Sequence, residues 1–434
     1  MPEKTVAAAT LGCKVNFYET EAMLALFKNA GYRVVDFSDK AAVYIINTCT
    51  VTNLGGKKSR QMIRRAAAAN PEAVIAAVGC YVQESPEAAA AIAGVDILIG
   101  TADRLKIVEM VESRDKSQKG AEIRVSGFGA KAEYEGFSVS ETSGRQRAFV
   151  KIQDGCDRYC AYCVIPYVRG PVRSRPLAGV MAEAERLAAS GRKEIVLSGI
   201  HLSSYGKDLS GEGLIDVIKS VSGIAGLERI RLGSIEPGLV TEEFVGEIGR
   251  LPKLCDHFHL SLQSGCDKTL RNMNRRYLAA DYAGAVSLLK SVWPGAAVTT
   301  DIIAGFPGET EADFRESLAF CESVGLAKIH VFPFSPKKGT RAFDMPGQVG
   351  PRVKAERAAE FLALSEKLSR EFALGFAGRV MPVLFEEEIG NNNQYFGYTT
   401  NYIGVVKRFE EICPVNGILP VMITEDCVYF SKYM

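Results

Sequence analysis

Hydrophobic runs alternate with amphipathic stretches along the first hundred residues of this 434-residue chain. The pattern predicts three strands, each followed by a helix: 6–11 and 19–28, 43–47 and 57–69, and 74–78 and 86–92. Cys13, Cys49 and Cys80 come just after the three strands. Successive β-α-β units build a parallel sheet in which every strand ends at the same edge. We therefore predict that the three thiols meet at that edge.

These three thiols allow two interpretations. Cysteine is among the residues most often buried in protein cores, so Cys13, Cys49 and Cys80 could be plain core thiols. Each of them, however, follows a glycine or a threonine at the end of a strand. The repeated placement favours a metal site with three thiolate ligands and one open position.

The alternation of strands and helices resumes after a polar segment. Periodicity decays between residues 116 and 145, which predicts a linker with one short strand near 122–125. Six strands then alternate with helices such as 177–189 and 281–290; the strands are 148–153, 194–198, 229–232, 257–262, 297–303 and 329–334. This order predicts a (β/α)6-type partial TIM barrel whose site lies at the carboxyl ends of the strands.

A third pattern begins near Phe372. Short apolar runs separated by turn residues predict a small all-β barrel with strands at 380–385, 395–398, 403–406 and 419–424. We therefore expect an α/β chain with an N-terminal parallel-sheet domain, a linker, a barrel domain and a small β module, with the bounds 1–115, 116–145, 146–371 and 372–434.

Three further cysteines follow the first barrel strand. Cys156, Cys160 and Cys163 lie within eight residues of one another, and they are one ligand short of a closed tetrahedral zinc site. None of the four histidines is near in sequence to complete such a site. Three thiolates with one open iron suit a [4Fe-4S] cluster at least as well. Zinc and plain buried thiols are the alternatives.

The composition limits which cellular compartment and which binding partners are expected. The 52 basic and 51 acidic side chains leave a net charge of +1, so nucleic-acid binding would depend on local patches. No apolar run reaches the about 18–20 residues of a membrane span, and no leader is recognisable, so we expect a cytoplasmic protein without membrane contact. Eleven cysteines in a reducing compartment favour metal ligands and buried thiols over disulfides. Those outside the two groups of three are expected to be structural: Cys255, Cys266, Cys321, Cys413 and Cys427.

The spacing Cys-x-x-x-Cys-x-aromatic-Cys, with Tyr162 as the aromatic residue, resembles the signature of the radical S-adenosylmethionine (SAM) superfamily. The resemblance implies a [4Fe-4S] cluster on Cys156, Cys160 and Cys163 whose remaining iron binds the amino and carboxylate groups of SAM. An electron from the cluster would then cleave SAM and release a 5′-deoxyadenosyl radical. The apolar residues 164–166 agree with this implication, because they would keep water from a reactive intermediate.

Later strand ends also resemble the superfamily. The stretches 197–201, 233–237, 259–265 and 301–310 match positions that contact the amino group, ribose, carboxylate and adenine of SAM. The resemblance implies SAM-binding roles, with Arg275 as a salt-bridge partner, for Tyr162, Gly199, Ser234, Glu236, Gln263, Arg275 and Ile303. Each polar residue among them could instead cap a helix or close a turn. No general base is assigned, and His201 is a lone histidine at a strand end.

The whole chain is similar to the methylthiotransferase branch of this superfamily. That branch implies a second [4Fe-4S] cluster on Cys13, Cys49 and Cys80, and a C-terminal TRAM domain that docks RNA or substrate. It also implies two SAM molecules. One methylates a sulfur held at the N-terminal cluster, and the other yields the radical that removes hydrogen from the substrate carbon. An electron donor such as flavodoxin or ferredoxin is implied as well.

Residues 10–20 and 47–52 look most like the enzymes that act on threonylcarbamoyladenosine, a modified base 3′ of the tRNA anticodon. The implied function is insertion of a methylthio group at carbon 2 of that base in the tRNA anticodon stem-loop, by a monomeric enzyme. Alternatives within the branch act on isopentenyladenosine in tRNA or on an aspartate of a ribosomal protein. An alternative of another class is a non-enzymatic iron-sulfur or zinc protein that binds RNA.

Charge is distributed unevenly among the regions that could bind RNA. From Phe372 onward four basic residues face seven acidic ones, so the TRAM-like region is no obvious phosphate clamp. Basic clusters follow cysteine and strand-end motifs instead: Lys57, Lys58, Arg60, Arg64 and Arg65, and Arg271, Arg275 and Arg276. They could be solvated helix faces or contacts for an RNA backbone. Four aromatic residues could stack on bases or fill the module's core: Tyr395, Phe396, Tyr398 and Tyr402.

Overall fold

The structure is a computed structural model that describes residues 4–118, 120–129, 132–139, 146–390, 393–410 and 415–430. It confirms the predicted fold class, because an α/β domain with a parallel sheet precedes a partial barrel and a small antiparallel module. No helix in the described ranges is both long and apolar enough to cross a membrane.

The N-terminal domain is built on a parallel sheet of six strands in the order β2-β1-β3-β4-β5-β6. The strands are β1 (Thr5–Thr10), β2 (Arg33–Val34), β3 (Val43–Thr48), β4 (Val74–Gly79), β5 (Ile97–Ile99) and β6 (Glu122–Arg124). The helices are α1 (Lys14–Asn29), α2 (Asn53–Ala69), α3 (Cys80–Glu84), α4 (Pro86–Ala90) and α5 (Ile107–Ser113). Along β3, Val43 and Ile45 enter one core while Tyr44 and Ile46 enter the other. Both faces of the sheet are thus covered, as is usual for parallel sheets.

The helices α1 and α2 begin earlier than their apolar spacing predicts. The first starts directly after Cys13, and the second starts at Asn53. The Thr52 hydroxyl accepts a hydrogen bond from the Gly55 N–H at 3.0 Å and so caps α2. Glycine in this first turn hid the start, because glycine is a poor helix former. Two cysteine-bearing strand ends are therefore followed almost at once by helix N-termini.

The segment predicted as a linker packs against the N-terminal domain where it is described. The short strand expected near residues 122–125 is observed as β6. Glu135 accepts hydrogen bonds from the Arg104 backbone N–H at 2.6 Å and from its guanidinium at 2.7 Å. Phe137 and Val139 are buried in the core beneath α1. The domain bounds stay a prediction, but these contacts anchor part of the segment to the sheet.

Six parallel strands form the middle domain as two adjoining sheets, β10-β9-β7 and β11-β12-β13. They are β7 (Arg147–Asp154), β9 (Glu194–Gly199), β10 (Arg229–Leu232), β11 (His257–His259), β12 (Ala297–Ala304) and β13 (Lys328–Pro333), with β8 (Arg173–Ser174) antiparallel to β7. Parallel bridges join the two sheets at Ile230 with Leu254 and at Ile235 with Leu260. The result is an arc of strands, which is the partial barrel that the sequence predicts.

Helices surround this arc on its outer side and bury a large apolar core against it. They are α7 (Leu177–Ala189), α8 (Leu214–Ser222), α9 (Glu242–Ile248), α11 (Ala279–Val292), α12 (Glu311–Ser323) and α13 (Pro351–Leu374). Two short helices, α6 (Ile165–Arg169) and α10 (Asp267–Asn272), follow the loops at the carboxyl ends of β7 and β11. Of these, α6 follows the second group of cysteines and lies between the two α/β domains, where it packs near α3.

The C-terminal module is an antiparallel sheet in the order β16-β15-β14-β17. Its strands are β14 (Val380–Glu388), β15 (Gln394–Thr399), β16 (Gly404–Arg408) and β17 (Ile418–Met422). An irregularity between Phe385 and Glu387 shifts the register of β14 against β15. Tyr395 and Phe396 are buried, at 2% and 8% exposure, so these two aromatics are not free to stack on bases.

The module covers the amino-terminal ends of several barrel strands. Arg229, the first residue of β10, donates a hydrogen bond to the Tyr398 carbonyl oxygen at 3.0 Å. The Arg231 guanidinium lies 4.7 Å from the centre of the Tyr402 ring, and the His257 ring stacks on that ring at 4.6 Å. Tyr398 and Tyr402 therefore contribute to the contact between module and barrel.

Candidate active site between two cysteine triplets

The loop after β7 carries Cys156, Cys160 and Cys163, which we call the barrel triplet. Gly155 opens this loop with φ +72°, and a Cβ atom at this position would lie 1.7 Å from the Pro171 carbonyl oxygen. Only glycine fits such a conformation and such an approach. The Cys163 N–H donates to the Cys160 carbonyl oxygen at 2.9 Å, which turns the loop back on itself. All three thiols line one cavity.

Cys13, Cys49 and Cys80 lie together at the carboxyl edge of the N-terminal sheet, and we call them the N-terminal triplet. Cys13 is exposed, whereas Cys49 and Cys80 are buried. Gly12 has φ +101°, and a Cβ atom there would lie 2.9 Å from the Cys49 sulfur. Burial raises the pKa of Cys80 to about 12, and the neighbouring Cys13 and Cys49 thiols add to the shift.

Side-chain hydrogen bonds tie together the three strand ends that carry this triplet. The Asn16 amide donates to the carbonyl oxygens of Leu11, at 2.7 Å, and Thr48, at 3.1 Å. The Thr48 hydroxyl donates to the Val78 carbonyl oxygen at 2.6 Å. These bonds link the ends of β1, β3 and β4 in turn, so the positions of the thiols depend on the sheet as a whole.

The two triplets are neighbours across α6. Buried Cys80 packs against Val164 and Val168, and Val164 directly follows Cys163 in the chain. The apolar run after the barrel triplet therefore contacts the N-terminal triplet as well as covering its own loop.

Three basic side chains contact the Glu236 carboxylate beside the barrel triplet. The carboxylate oxygens of Glu236 lie 2.7 Å from Arg158, 3.1 Å from the His201 Nε2 atom and 2.9 Å from Arg275. Burial raises its pKa, but the His201 hydrogen bond and the Arg275 and Arg158 charges outweigh burial and lower the pKa to about 2. Arg275 also donates to the Cys160 sulfur at 3.1 Å. A fixed carboxylate and a fixed guanidinium thus stand next to the loop that carries the barrel triplet.

Four of the seven predicted SAM-binding residues line the same cavity as the barrel triplet: Tyr162, Ser234, Glu236 and Arg275. Among the described residues, the other three do not line it. Gly199 ends β9 one residue before Ile200, which does line it. Gln263, with φ +73°, accepts a hydrogen bond from the Ile303 N–H at 3.0 Å and so joins the strand ends next to the cavity. The seven assignments stay predictions.

Comparison with known proteins decides the family. Residues 150–321 match the radical SAM superfamily, and residues 5–100 match the uncharacterized protein family UPF0004. The chain is 43% identical, over 94% of its length, to the threonylcarbamoyladenosine tRNA methylthiotransferase MtaB of Bacillus subtilis, of which 91% is covered. The chain belongs to the radical SAM methylthiotransferase family.

One further relative and one solved structure are similar to this radical SAM methylthiotransferase. It is 33% identical, over 97% of the chain, to the tRNA-2-methylthio-N(6)-dimethylallyladenosine synthase of Geotalea uraniireducens, of which 96% is covered. Its fold is similar to that of the radical SAM methyltransferase TsrM of Kitasatospora setae, with a TM-score of 0.58, 13% identity, and coverage of 79% of this chain and 74% of that one. At this identity the second likeness shows the fold alone.

SAM and iron-sulfur clusters are the cofactors of this family, and the barrel triplet suits them better than it suits zinc. Within the described residues, neither triplet has all three sulfur atoms within 4.8 Å of one another. A zinc ion bound at about 2.3 Å per sulfur would hold its thiolates only about 3.8 Å apart. Burial raises the pKa of Cys156 to about 11 and that of Cys163 to about 12, so cluster assembly must displace protons.

A [4Fe-4S] cluster on the barrel triplet would supply an electron and an iron free to bind SAM. The chain's own residues prepare the site for that chemistry. Arg275 stands beside one sulfur and can balance thiolate charge, while Glu236 fixes the orientation of Arg275 and Arg158. Val164 and Val168 are buried with Cys80 and so keep water out of the contact between the two triplets.

Sequence reasoning missed two arginines. Arg158, between the first two cysteines of the barrel triplet, contacts Glu236, and Arg169, three residues beyond the apolar residues 164–166, is completely buried. An arginine so close to an apolar stretch was the available signal, because a charge that is buried with such a stretch needs a partner. His201, left without a role, is hydrogen-bonded to Glu236.

The remaining cysteines belong to neither triplet. Cys255, Cys266 and Cys321 are buried, Cys427 is half-buried, and Cys413 lies outside the described residues. Cys266 approaches Asp313, but that carboxylate already binds Lys268 at 2.7 Å and caps α12. A structural role for these cysteines stays a prediction.

Proposed function

We propose that this methylthiotransferase inserts a methylthio group at carbon 2 of threonylcarbamoyladenosine, 3′ of the anticodon in tRNA, with two SAM molecules and two [4Fe-4S] clusters. The observation that carries the proposal is the pair of three-thiol sites on either side of α6. Two such sites allow one to generate a radical while the other holds the sulfur that is transferred.

In the proposed reaction a carbon–hydrogen bond of the base is broken and a carbon–sulfur bond is formed. One SAM contributes the methyl group. The second, after one-electron reduction by a flavodoxin or ferredoxin, contributes the 5′-deoxyadenosyl group that accepts the hydrogen. The N-terminal site contributes the sulfur. We expect a monomer that works in the cytoplasm, where tRNA and such electron donors are found.

The preference for threonylcarbamoyladenosine rests on relatedness. Identity to the Bacillus subtilis enzyme that bears this substrate in its name is 43%, against 33% for the Geotalea uraniireducens enzyme named for dimethylallyladenosine. The dimethylallyladenosine reaction is the second candidate, because that relative covers 97% of the chain.

Basic side chains at the seam between the N-terminal domain and the barrel support an RNA substrate. We call Lys57, Lys58, Arg276, Lys338 and Arg341 the seam strip. Hydrogen bonds connect the segments that carry them: Asn53, at the start of α2, donates to Pro336 at 3.1 Å, and the Ala342 N–H donates to Ala161 of the barrel-triplet loop at 2.7 Å. The strip therefore borders the loop that carries the barrel triplet.

The seam strip is a cluster of exposed basic side chains, whereas the C-terminal module carries more acidic than basic residues. All five side chains are exposed, and none of them forms an ion pair within the described part of the chain. Tyr159 and Tyr167 are exposed beside the barrel triplet, with ring centres 5.8 Å apart, and offer a stacking surface. The module carries four basic against seven acidic residues. We infer that the anticodon loop is held at the seam strip and not by the module.

Charge reversal tests this docking surface. Lys57→Glu/Lys58→Glu and Lys338→Glu/Arg341→Glu should each weaken binding of an anticodon stem-loop by roughly tenfold or more and flatten its salt dependence by about one unit of slope per lost contact. The matched control, Lys407→Glu/Arg408→Glu in the module, should change affinity less than about twofold. A strong loss of RNA affinity in the control variant, with no loss of affinity in the seam-strip variants, would place the RNA on the module.

The substrate is tested with reconstituted enzyme under anaerobic conditions. SAM, dithionite and one of two stem-loops are supplied, identical except for threonylcarbamoyladenosine or isopentenyladenosine, and nucleosides are analysed by mass spectrometry. Methylthio product from the first alone supports the proposal, and product from the second alone transfers the assignment to the second candidate. A chain that binds two zinc ions and yields no 5′-deoxyadenosine would contradict both.

A further inference from the structure

A cluster of buried charges lies between the two triplets, and neither the cofactor chemistry nor RNA binding accounts for it. At its centre is Glu19 on α1, six residues after Cys13 and fully buried. Its carboxylate contacts the Lys151 ammonium at 2.7 Å and the Arg169 guanidinium at 2.9 Å, and it also pairs with Arg104. One N-terminal carboxylate is thus held by cations from both α/β domains.

A second carboxylate belongs to the barrel. Asp154, the last residue of β7, lies two positions before Cys156 and is 2% exposed. It contacts the Arg169 guanidinium at 3.0 Å, and it accepts the N–H of Gly155, the residue that opens the cysteine loop, at 2.8 Å. The position of this carboxylate therefore sets where the barrel triplet begins.

Arg169 connects the two halves through one planar group. Its Nη2 atom donates to the Asn16 side-chain oxygen at 2.7 Å and to Glu19 at 3.0 Å, while its Nη1 atom reaches Glu19 and Asp154. Asn16 is the residue whose amide ties the ends of β1 and β3 beside Cys13. One guanidinium thereby fixes the start of the barrel-triplet loop against the strand ends of the N-terminal triplet.

Stability alone does not explain such a network. Buried ion pairs lose so much hydration that apolar replacements are often as stable, so their better-attested use is to fix one geometry among several. Arginine suits that use because its rigid fork holds several acceptors at set angles, which lysine cannot do. A network of this kind at the junction of two sites can impose a distance between them.

We propose that Arg169, through Asn16, Glu19 and Asp154, is a positioning residue that sets the separation and orientation of the two metal-binding triplets. The inference rests on the proposed function, because it assumes that both triplets hold clusters that serve one substrate. Misplacing one reacting group by about 1 Å can cost roughly a hundredfold in rate. A shifted pair of sites should therefore still cleave SAM but transfer methylthio poorly.

The test compares Arg169→Gln and Arg169→Lys with Arg231→Lys. Arg231 is an equally buried arginine that pairs with Glu194 at 2.8 Å under the C-terminal module, away from both triplets. Each variant is reconstituted anaerobically and assayed for iron per chain. The magnetic coupling between the two reduced clusters is then measured by electron paramagnetic resonance, and 5′-deoxyadenosine is counted per methylthio product.

We expect all three variants to bind about eight irons per chain. Arg169→Gln should change the coupling between clusters and raise the 5′-deoxyadenosine count per product by roughly tenfold to a hundredfold. Arg169→Lys, which keeps the charge but not the fork, should give a smaller change, and Arg231→Lys none. If Arg169→Gln does not fold, Arg169→Lys carries the comparison.

Unaltered coupling and an unaltered product ratio in the Arg169 variants would overturn the inference. Failure of the proposed function would look different. In that case the unmodified chain would itself bind only about four irons or give no methylthio product, whatever residue stands at position 169.

Discussion

The two triplets present three thiols each but assemble them by different routes. The barrel triplet spans eight residues of one loop, from Cys156 to Cys163, whereas the N-terminal triplet is collected from positions 13 to 80 by a parallel sheet. The first needs one glycine-opened turn, and the second needs three strands in register. A local site can therefore be recognised from spacing alone, but a site assembled by topology requires the strand order as well.

The largest expected effect separates the roles of the triplets. Cys160→Ala should abolish 5′-deoxyadenosine formation, because SAM cleavage depends on the barrel site. Cys49→Ala should keep SAM cleavage but abolish methylthio product, and each variant should retain about four of about eight irons. Iron analysis and chromatography of the nucleosides measure both results. Complete loss of SAM cleavage in Cys49→Ala would show that the two sites do not divide the reaction.

Glycine substitutions compare how tightly each triplet is built. Gly155→Ala places a Cβ atom 1.7 Å from a carbonyl oxygen, and we expect it to lower the free energy of unfolding by more than about 3 kcal/mol and to empty the barrel site of iron. Gly12→Ala meets the Cys49 side chain at 2.9 Å, so a loss of about 1–2 kcal/mol is expected. Urea unfolding of the metal-free variants gives both values. Equal losses of unfolding free energy would show that the two triplets are built equally tightly.

Glu236→Gln tests the charged surroundings of the barrel triplet. The substitution leaves Arg158 and Arg275 without their carboxylate, so SAM affinity should fall by roughly 30-fold or more while iron content at the N-terminal site is unchanged. Equilibrium dialysis with labelled SAM measures the affinity.

The pH dependence of the same group follows from its lowered pKa. Since the pKa in the folded chain is about 2, below the ordinary 4.5, the stability that Glu236 contributes is fully present above pH 4.5 and is lost as the pH falls toward 2. SAM affinity should therefore show no titration by this carboxylate between pH 6 and 8. A transition near neutral pH that disappears in Glu236→Gln would contradict this assignment.

The smallest effect concerns access to the thiols of the metal-free chain. Cys13 is exposed while Cys49 and Cys80 are buried, so iodoacetamide should modify Cys13 several-fold faster than the other two. In the barrel triplet the rates for Cys160 and Cys163 should differ less, because both are half-buried. Peptide mass mapping at short reaction times gives the rates. Equal modification of Cys13 and Cys80 would mean that the sheet edge is open without metal.

Much of the fold could be predicted from the sequence because the hydrophobic period and the length of each apolar run indicated the same type of element. Buried runs of five or six residues such as β3 and β4, each followed by a helical stretch, leave little choice but a parallel sheet. Helix starts were placed too late where glycine opens the first turn, as at Gly55 in α2. Tertiary contacts at the strand ends, and not helix propensity, decide those boundaries.

The candidate site could be predicted only in part. Cysteine spacing indicated the barrel triplet, the placement of cysteines after three predicted strands indicated the N-terminal triplet, and the resemblance of strand ends suggested Glu236 and Arg275. Contacts between distant segments could not be predicted from the sequence. Arg169 and Asn16, for example, are 153 residues apart and share one hydrogen bond. A single sequence reports which side chains are charged but not which of them meet when two domains pack.

The arginines beneath the C-terminal module affect where reactants can enter and leave the barrel. Arg147, Arg229 and Arg231 fasten that module across the amino-terminal ends of the barrel strands. The module thereby covers the barrel interior at that end. Reactants must then enter and leave on the carboxyl-terminal side, where the triplets and the seam strip lie. The proposed docking of the RNA loop at the seam strip would therefore use the same side of the barrel as the entry of SAM and the exit of the nucleoside product.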